Sequence, residues 1–183
     1  MKSLVGFVLL AIVVFIGALL MRLGAFKPVD LRTEEAGPFR VVYQKHTGAY
    51  HKIVPVIESV EKWAAQNKGP ASEPCQTSFG EYLDDPSAFE EDRLKSNGGC
   101  IVKADWSGKL PEGFAYKEIP RRLFVRAAFE GAPSIGPQKV YPRVAQFMID
   151  NGLKQDGAVI EMYERVADSQ QIKTHYFFPA IKK

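Results

Sequence analysis

A carboxylate inside a strand-like apolar run is the residue best placed for chemistry. The run is Val-Ile-Glu-Met-Tyr-Glu, residues 159–164. Strand alternation puts Val159 and Tyr163 on the same face as Glu161, with the residues between them on the other. The pattern predicts that Glu161 points into an apolar interior or pocket, where it needs a side-chain partner, a proton or a cationic ligand. The alternative is an ordinary edge-strand glutamate that faces solvent.

Other chemistries find little support in the sequence. The histidines His46, His51 and His175 are scattered, and no pair has zinc-ligand spacing with a cysteine. No Gly-rich phosphate loop follows a strand, and no Gly-x-Ser-x-Gly motif is present. We therefore expect neither a metal nor a cofactor.

Length and composition limit the number of domains that the chain can form. The chain has 183 residues, a formal net charge of +3 and 46% hydrophobic residues, which indicates one or two compact domains plus an extra segment. The positive charge is small and evenly spread, without a dense Lys/Arg run. We therefore expect no nucleic-acid partner.

The extra segment is an uninterrupted apolar run over residues 4–21, closed by Arg22. It is long enough to cross a bilayer as a helix. A secretory signal peptide is the alternative, but its apolar core is usually shorter, and no small-x-small cleavage site precedes Arg22. We predict an uncleaved single-pass transmembrane anchor at residues 1–23.

The basic residues on either side of the apolar run indicate which side of the membrane the C-terminal domain occupies. Lys2 precedes the apolar run, while more basic residues follow it. Those that follow are Arg22, Lys27 and Arg32. Counting positive charges therefore favours a cytoplasmic position for the C-terminal domain.

Two cysteines bear on the same question. If strands at residues 78–83 and 99–104 pair in antiparallel fashion, Cys100 should lie opposite residues near Tyr82, several positions from Cys75. A disulfide requires the two Cα atoms to lie within about 7 Å of each other. We therefore expect two free thiols and a reducing compartment.

After the anchor, residues 24–38 contain glycine, two prolines and mixed charges without periodicity, which predicts a tether. The folded domain, residues 39–183, then shows the same order of elements twice. The first module, residues 39–104, has a strand at 39–45, a helix with the stripe Ile53, Ile57, Val60 and Ala64, and strands at 78–83 and 99–104. The second module, residues 113–180, has strands at 114–119 and 121–130, a helix with the stripe Val140, Val144 and Phe147, and strands at 158–166 and 172–178.

This order predicts an α+β fold made of two β-α-β-β modules related by a pseudo-twofold axis. We expect an antiparallel sheet, two helices and a central cleft where the modules meet, preceded by one transmembrane helix. Aligning the modules matches Tyr82 with Tyr163 and Gly80 with Glu161. We therefore expect Glu161 to be the polar anchor of the cleft, flanked by the two tyrosines, with Gly80 leaving the space that Glu161 needs.

Several short stretches, in this order and spacing, resemble the GyrI-like small-molecule-binding domain. They are His-Thr-Gly-Ala-Tyr at 46–50, Gly-Glu-Tyr-Leu-Asp-Asp-Pro at 80–86, Gly-Gly-Cys-Ile-Val at 98–102, Arg-Ala-Ala-Phe-Glu-Gly at 126–131, Tyr-Pro at 141–142, Asn-Gly-Leu at 151–153 and Ile-Glu-Met-Tyr at 160–163. The resemblance covers residues 39–180. With its anchor, the chain is also similar to the membrane-anchored endoplasmic-reticulum autophagy receptor that carries a GyrI-like domain. It lacks that receptor's long disordered tail, so we do not expect the receptor role.

The resemblance implies a duplicated SHS2-type fold whose cleft binds small, often cationic and aromatic compounds. A pocket glutamate of the family matches Glu161, and cleft aromatics match Tyr82 and Tyr163, with Tyr43 on the first strand as a further candidate. Some members hydrolyse strained cyclopropane compounds with this glutamate, so catalysis stays open here. The alternative is a docking protein that recognises an unidentified protein partner with its surface. An apolar cavity around Glu161 would favour ligand binding, and a filled cleft with an ion-paired Glu161 would favour docking.

Overall fold

The computed structural model describes residues 2–66, 75, 77–103, 109–165 and 172–183. Within them the chain forms a mixed α+β fold with a nine-stranded antiparallel sheet and three α-helices. The strands are β1 (Asp30–Ala36), β2 (Phe39–Thr47), β3 (Thr77–Tyr82), β4 (Lys95–Ile101), β5 (Phe114–Ile119), β6 (Arg122–Glu130), β7 (Leu153–Gln155), β8 (Val159–Arg165) and β9 (Ile172–Lys182). The helices are α1 (Lys2–Leu23), α2 (Val54–Gln66) and α3 (Gly136–Asp150). Residues 104 and 166, predicted to end two of the strands, lie outside the described residues.

The central pair β8–β3 joins two parts of the sheet, and β5, which the sequence placed in the second module, pairs with β2 of the first. The strand order is β1-β6-β9-β8-β3-β4-β2-β5, and β7 pairs with the end of β9. Strands β8 and β3 are neighbours at the centre, with Gly80 directly opposite Glu161. The functional candidates on these strands therefore lie at the junction of the halves.

Both helices of the domain pack on one face of the sheet. In α2 the predicted stripe buries Ile57, Val60 and Ala64. In α3 the buried positions are Val140, Val144 and Met148, while the predicted Phe147 is only partly buried. Met148 follows Val144 by four positions, as Val144 follows Val140, so it continues the buried face of α3. Phe147 lies beside that face.

The helix-free face of the sheet also carries an apolar core. The sheet curls around this core, so that its two sides come into contact. Phe39 of β2 and Phe124 of β6 have ring centroids 6.2 Å apart, although five strand spacings separate β2 from β6 in the sheet. In a flat sheet those strands would lie about 24 Å apart. Ile160 and Met162 belong to this enclosed core.

The alternation predicted for β8 is confirmed. Ile160 and Met162 pack in the helix-free core, whereas Val159 packs in the core beneath α3. Glu161 pairs with Tyr176 of β9, which lies in that same helix-side core. Glu161 therefore faces the helices.

Helix α1 is a separate apolar helix near the N-terminus. Its segment Val5–Leu23 is long and apolar enough to cross a membrane, and none of it is buried against the rest of the protein. Its length and composition fit a membrane anchor or a signal sequence.

The segment predicted as a tether, residues 24–38, contains a strand instead. Strand β1 pairs along its whole length with β6, from Asp30 opposite Ala128 to Ala36 opposite Arg122. It is an edge strand, and edge strands accept charged side chains because one side stays in solvent. The mixed charge that suggested a linker is therefore compatible with a strand, and Leu31 packs against the core beneath α3.

The prediction of two free thiols is wrong. Cys75 and Cys100 form a disulfide with their Cα atoms 5.0 Å apart. Cys100 pairs across the sheet with Ser78, not with a residue near Tyr82. The expected register was displaced by several residues along β3, and the true register places Cys100 beside Cys75.

Candidate functional site

A cleft opens between α2 and α3, above the central strands β3 and β8. Its cavity volume is about 1190 Å³. Apolar side chains form much of its walls, with Ile53, Val54 and Ile57 on the α2 side and Pro137 and Tyr141 on the α3 side. A cavity of this size has room for a drug-sized molecule.

Glu161 lies in this cleft and is only 5% exposed. The Tyr141 hydroxyl donates to its Oε1 at 3.1 Å, and the Tyr163 hydroxyl donates to its Oε2 at 3.1 Å. The Tyr82 and Tyr163 hydroxyl oxygens are 2.7 Å apart. Because Tyr163 donates to Glu161, Tyr82 is left to donate to Tyr163, and the three side chains form one hydrogen-bonded chain.

Strand register puts the two tyrosines on one face, on either side of the pair formed by Gly80 and Glu161. Tyr82 stands opposite Val159, and Tyr163 stands opposite Ser78. Gly80 stands opposite Glu161, and Tyr82 and Tyr163 each follow two positions later on antiparallel strands. Side chains two positions apart share a face. The expected grouping of Tyr82, Tyr163 and Glu161 is present, but the tyrosine hydroxyls meet because the Tyr82 side chain turns back along β3.

Gly80 makes room for an aromatic ring and not for the carboxylate itself. A Cβ atom at Gly80 would lie 3.0 Å from the hydroxyl oxygen of Tyr82 and 3.1 Å from its Cζ. The Tyr82 ring folds back over the glycine, which places its hydroxyl beside Tyr163. The effect of Gly80 on Glu161 is therefore indirect and passes through the two tyrosines.

Burial dominates the electrostatics of Glu161. Loss of hydration raises the pKa of its carboxyl from the ordinary 4.5 to about 7, while the hydrogen bonds from Tyr141 and Tyr163 act in the opposite direction. Burial, followed by the nearby Glu161 charge, raises the pKa of the hydroxyls of Tyr82, Tyr141 and Tyr163. Among the described residues, Glu161 has no ion-pair partner. Near neutral pH the carboxyl is therefore balanced between its protonated and charged forms.

The charged residues that line the cleft have one sign. Five carboxylates line it, and no lysine or arginine does so among the described residues. Besides Glu161 they are Glu58, Glu61, Asp84 and Asp85. Glu61 of α2 is half-buried and accepts a hydrogen bond from the Ser78 hydroxyl of β3. This arrangement gives the cleft a negative potential in a chain whose net charge is positive.

Tyr50 extends the aromatic wall of the cleft. Its ring meets that of Tyr82 edge-to-face, with centroids 4.7 Å apart. Its hydroxyl donates to the Asp84 carbonyl at 2.7 Å, which fixes the turn after β3. Tyr50 and Tyr82 thus form one aromatic surface near the acidic rim.

Tyr43, the third predicted aromatic, lies on the other face of the sheet. It packs against the helix-free core, and the Lys117 Nζ stands 5.2 Å from its ring centroid. On β2, Val42 faces the helices and packs with α2, so its neighbour Tyr43 must point the opposite way. Tyr43 is not part of the cleft.

Sequence reasoning missed Tyr50, Tyr141 and Glu61 as site residues. Tyr141 directly follows Val140 of the predicted α3 stripe, and Glu61 follows Val60 of the α2 stripe. Residues beside an apolar stripe lie at the border of the buried face, so they are candidates for a cleft between two helices. The apolar stripes therefore contained a signal for these two residues.

No cluster of three or more His, Cys, Asp or Glu side chains is placed to hold a metal ion in the described part of the chain.

A family model described as "GyrI-like small molecule binding domain" matches residues 30–181. This chain belongs to that family. The matched range begins at the first residue of β1, so the edge strand is part of the GyrI-like domain. No curated protein matches the chain.

Solved structures share the GyrI-like fold. The EcmrR C-terminal domain has a TM-score of 0.67 and 20% identity, covering 85% of this chain and 99% of that one. A complex of EcmrR with DNA has a TM-score of 0.69 and 18% identity, covering 85% of this chain. The chain spans only 58% of that EcmrR chain. SAV2435 bound to tetraphenylphosphonium has a TM-score of 0.53 and 13% identity, covering 83% of this chain and 94% of that one.

These comparisons correct one expectation and leave another without support. The exclusion of nucleic acid is wrong, because a structure with this fold is a DNA complex of EcmrR, a chain of which this one spans little more than half. The charge of one domain does not decide what a longer chain binds. The comparisons give no support to the expected similarity with the autophagy receptor, which stays a prediction.

Proposed function

We propose that this GyrI-like domain binds a small cationic, aromatic compound in the cleft and is held at a membrane by α1. The observation that carries the proposal is Glu161, a buried carboxylate without an ion-pair partner among the described residues, inside a large and partly apolar cavity. An uncompensated buried charge is costly. A cationic ligand would supply the missing partner.

The surroundings of Glu161 support a cation over an anion or a neutral molecule. The acidic lining attracts positive charge and repels negative charge. Tyr50 and Tyr82 offer ring faces and edges beside the carboxylate, and ring faces attract cations in desolvated sites. The tetraphenylphosphonium bound to SAV2435 is a cation of this kind in a protein of the same fold.

The proposal is tested by replacing Glu161 with glutamine and measuring binding of tetraphenylphosphonium by calorimetry at pH 8. The change keeps shape and removes the charge–charge attraction, so we expect the binding free energy to weaken by about 1 to 3 kcal/mol. Binding of the neutral analogue triphenylphosphine oxide should change little.

Glu81→Gln is the matched control for this experiment. Glu81 is also buried, at 7% exposure, but it lies on the helix-free side and pairs with Lys117. Its replacement should leave tetraphenylphosphonium affinity unchanged. Equal affinity of Glu161→Gln and the parent for tetraphenylphosphonium would sink the proposal.

We infer that the domain is a duplication. The strand orders β6-β9-β8 and β3-β4-β2 mirror each other about the central pair, and each half places one helix on the same face. The register that sets Gly80 opposite Glu161, with a tyrosine two positions after each, is the one that a twofold axis through this pair would give. Both features support two SHS2-type modules.

We also propose that α1 stays attached and that the domain faces an oxidising compartment. The Cys75–Cys100 disulfide supports that side, because such bonds persist outside the cytosol. It outweighs the positive charges after α1, whose orienting effect is a statistical bias. Mass spectrometry of the membrane-fraction protein should find residues 1–23 present and the two cysteines oxidised. A mature N-terminus near Phe26 would contradict the anchor.

Hydrolysis by the same cleft is the second candidate function. The pKa of about 7 for Glu161 suits a general acid or base at neutral pH, and its tyrosine partners fix its orientation. Incubation with strained cyclopropane compounds should then give hydrolysed product with the parent protein and none with Glu161→Gln.

The open cavity and the absence of an ion pair on Glu161 in the described residues support ligand binding over the docking alternative.

A further inference from the structure

The end of α1 is bonded to the GyrI-like domain. The Ala132 backbone N–H donates to the Leu23 carbonyl at 2.9 Å. The Lys139 ammonium of α3 donates to the carbonyls of Gly24 at 3.3 Å and Ala25 at 2.7 Å. Carbonyls at a helix C-terminus lack partners within the helix, and a cation there is favourable. Domain residues therefore bind the carbonyls at the end of α1 and just after it.

Close backbone packing reinforces this junction. A Cβ atom on Gly24 would lie 3.0 Å from both the Glu130 carbonyl oxygen and the Gly131 Cα, and one on Gly131 would lie 2.8 Å from the Leu23 carbonyl oxygen. Lys27 and Glu130 add an ion pair at 2.6 Å. These contacts hold the C-terminal end of α1 against the turn between β6 and α3.

The same turn forms part of the cleft. Pro133 and Ser134, which directly follow Ala132, line the cavity, and so does Pro137 in the first turn of α3. Consecutive Cα atoms are only about 3.8 Å apart. One rim of the cleft thus begins beside the residue that holds the end of α1.

This places the rim at the membrane surface if α1 spans the bilayer. The apolar span ends at Leu23, which marks the edge of the hydrocarbon layer. Each headgroup layer beyond it is about 5 to 7 Å thick. The Pro133–Ser134 rim then lies within or against the headgroups. Phe26 at the same junction is 71% exposed, as expected of an aromatic at a membrane interface.

We propose that the cleft takes its ligand from the membrane surface, so that the ligand class is an amphiphilic cation with an alkyl tail. The head enters past Pro133 and Ser134 towards Glu161, while the tail stays in the lipid. Withdrawing a tail into water would cost about 0.8 kcal/mol for each methylene. The proposal rests on the proposed function, since it needs both a cation-binding cleft and a spanning α1.

The test measures how fast a photoactivatable probe reaches the cleft from the same membrane and from a separate one. The probe is a hexadecyl trialkylammonium with a diazirine beside its nitrogen, and the protein is the full chain in phosphatidylcholine vesicles. In one arm the probe is added to the protein vesicles in the dark at low temperature and then warmed. In the other arm it is first loaded into empty vesicles, which are then mixed with protein vesicles. Flashes at successive times label the cleft, and mass spectrometry counts labelled β8 peptides.

We expect same-vesicle labelling to finish before the probe shows measurable transfer between vesicles. Labelling no faster than desorption of the probe into water would overturn the proposal. Lys139→Ala should slow same-vesicle labelling several-fold, whereas Lys154→Ala, an exposed lysine on β7, should not. Equal rates for these two variants would also count against the proposal. Unchanged tetraphenylphosphonium binding by Lys139→Ala verifies that the variant is folded.

Glu161→Gln separates this proposal from the proposed function. Labelling that drops in both arms with this variant shows that the cleft binds the cation through Glu161, whatever the route. Labelling by the variant equal to the parent in both arms would remove the proposed function, and with it the membrane route. A parent that labels equally slowly in both arms, with loss of label in Glu161→Gln, would remove the membrane route alone.

Discussion

Two buried glutamates lie on neighbouring central strands of this domain, and their surroundings give them different roles. Glu81 faces the helix-free side, where Lys117 pairs with it and the Asn97 amide donates to it at 2.5 Å. Glu161 faces the cleft, where among the described residues its hydrogen bonds come only from tyrosine hydroxyls. Glu81 is compensated within the fold, whereas Glu161 is left for a proton or a ligand.

The raised pKa of Glu161 predicts how its charge affects stability. The folded state holds the proton up to about pH 7, whereas the unfolded chain releases it near 4.5. The stabilisation is therefore complete below pH 4.5 and is lost as pH rises towards 7. The loss amounts to about 3 kcal/mol as an order of magnitude. Glu161→Gln should match the parent near pH 4.5 and exceed its free energy of unfolding at pH 8, as measured by urea denaturation.

Glu81→Gln should have the opposite effect. It leaves Lys117 without its carboxylate partner, so we expect a loss of about 1 to 3 kcal/mol at pH 7. A lower free energy of unfolding for Glu161→Gln than for the parent at pH 8 would contradict the prediction for Glu161. It would mean that the Glu161 carboxylate stabilises the fold without a ligand.

The disulfide is the element-scale feature that most changes the interpretation of this chain. It links Cys75, just before β3, to the last residue but one of β4, with a sequence separation of 25 residues. Closing a loop of that length in the unfolded chain contributes about 3 kcal/mol. Reductant should lower the urea midpoint of the parent by a corresponding amount. The double variant Cys75→Ala, Cys100→Ala should show no response to reductant, and an unchanged parent midpoint would contradict this contribution.

The described elements show which parts of the fold the sequence could predict. Periodicity located α2, α3 and the central strands, because an apolar stripe or alternation follows directly from one buried face. It also put Glu161 and Tyr163 on one face of β8. It missed β1, whose edge position removes the apolar pattern, and it missed the pairing of Cys100 with Ser78, because loop lengths leave register open.

The errors at the site have a related cause. Tyr43 was grouped with the cleft by similarity, but alternation from Val42 sends it to the other face. Gly80 was read as space for Glu161, whereas the fold-back of Tyr82 is a side-chain torsion that no sequence pattern encodes. Tyr141 and Glu61 enter the site only because two helices meet over the sheet. A cleft between elements depends on tertiary packing, which periodicity within one element does not contain.

At the scale of the whole molecule, the cleft lies where the two halves meet, so a ligand bound there would contact both. α2 belongs to the first half and α3 to the second, while Tyr82 and Tyr163 come from the two strands that join them. A ligand that binds only the folded state stabilises it by about 2.7 kcal/mol at a hundred times its dissociation constant. Cation binding should therefore raise the melting temperature of the entire domain in one transition.

That stabilisation should depend on pH, because the cation and a proton compete for Glu161. With a pKa of about 7, the carboxyl is mostly protonated at pH 5.5 and mostly charged at pH 8. Tetraphenylphosphonium keeps a fixed charge, so its shift of the melting temperature should grow from pH 5.5 to about 7 and then level off. Triphenylphosphine oxide should show no such trend. His51 also lines the cleft, and Glu161→Gln, which keeps His51, should abolish the pH dependence if Glu161 is its source. Equal tetraphenylphosphonium shifts at pH 5.5 and pH 8 in the parent would mean that Glu161 does not meet the cation.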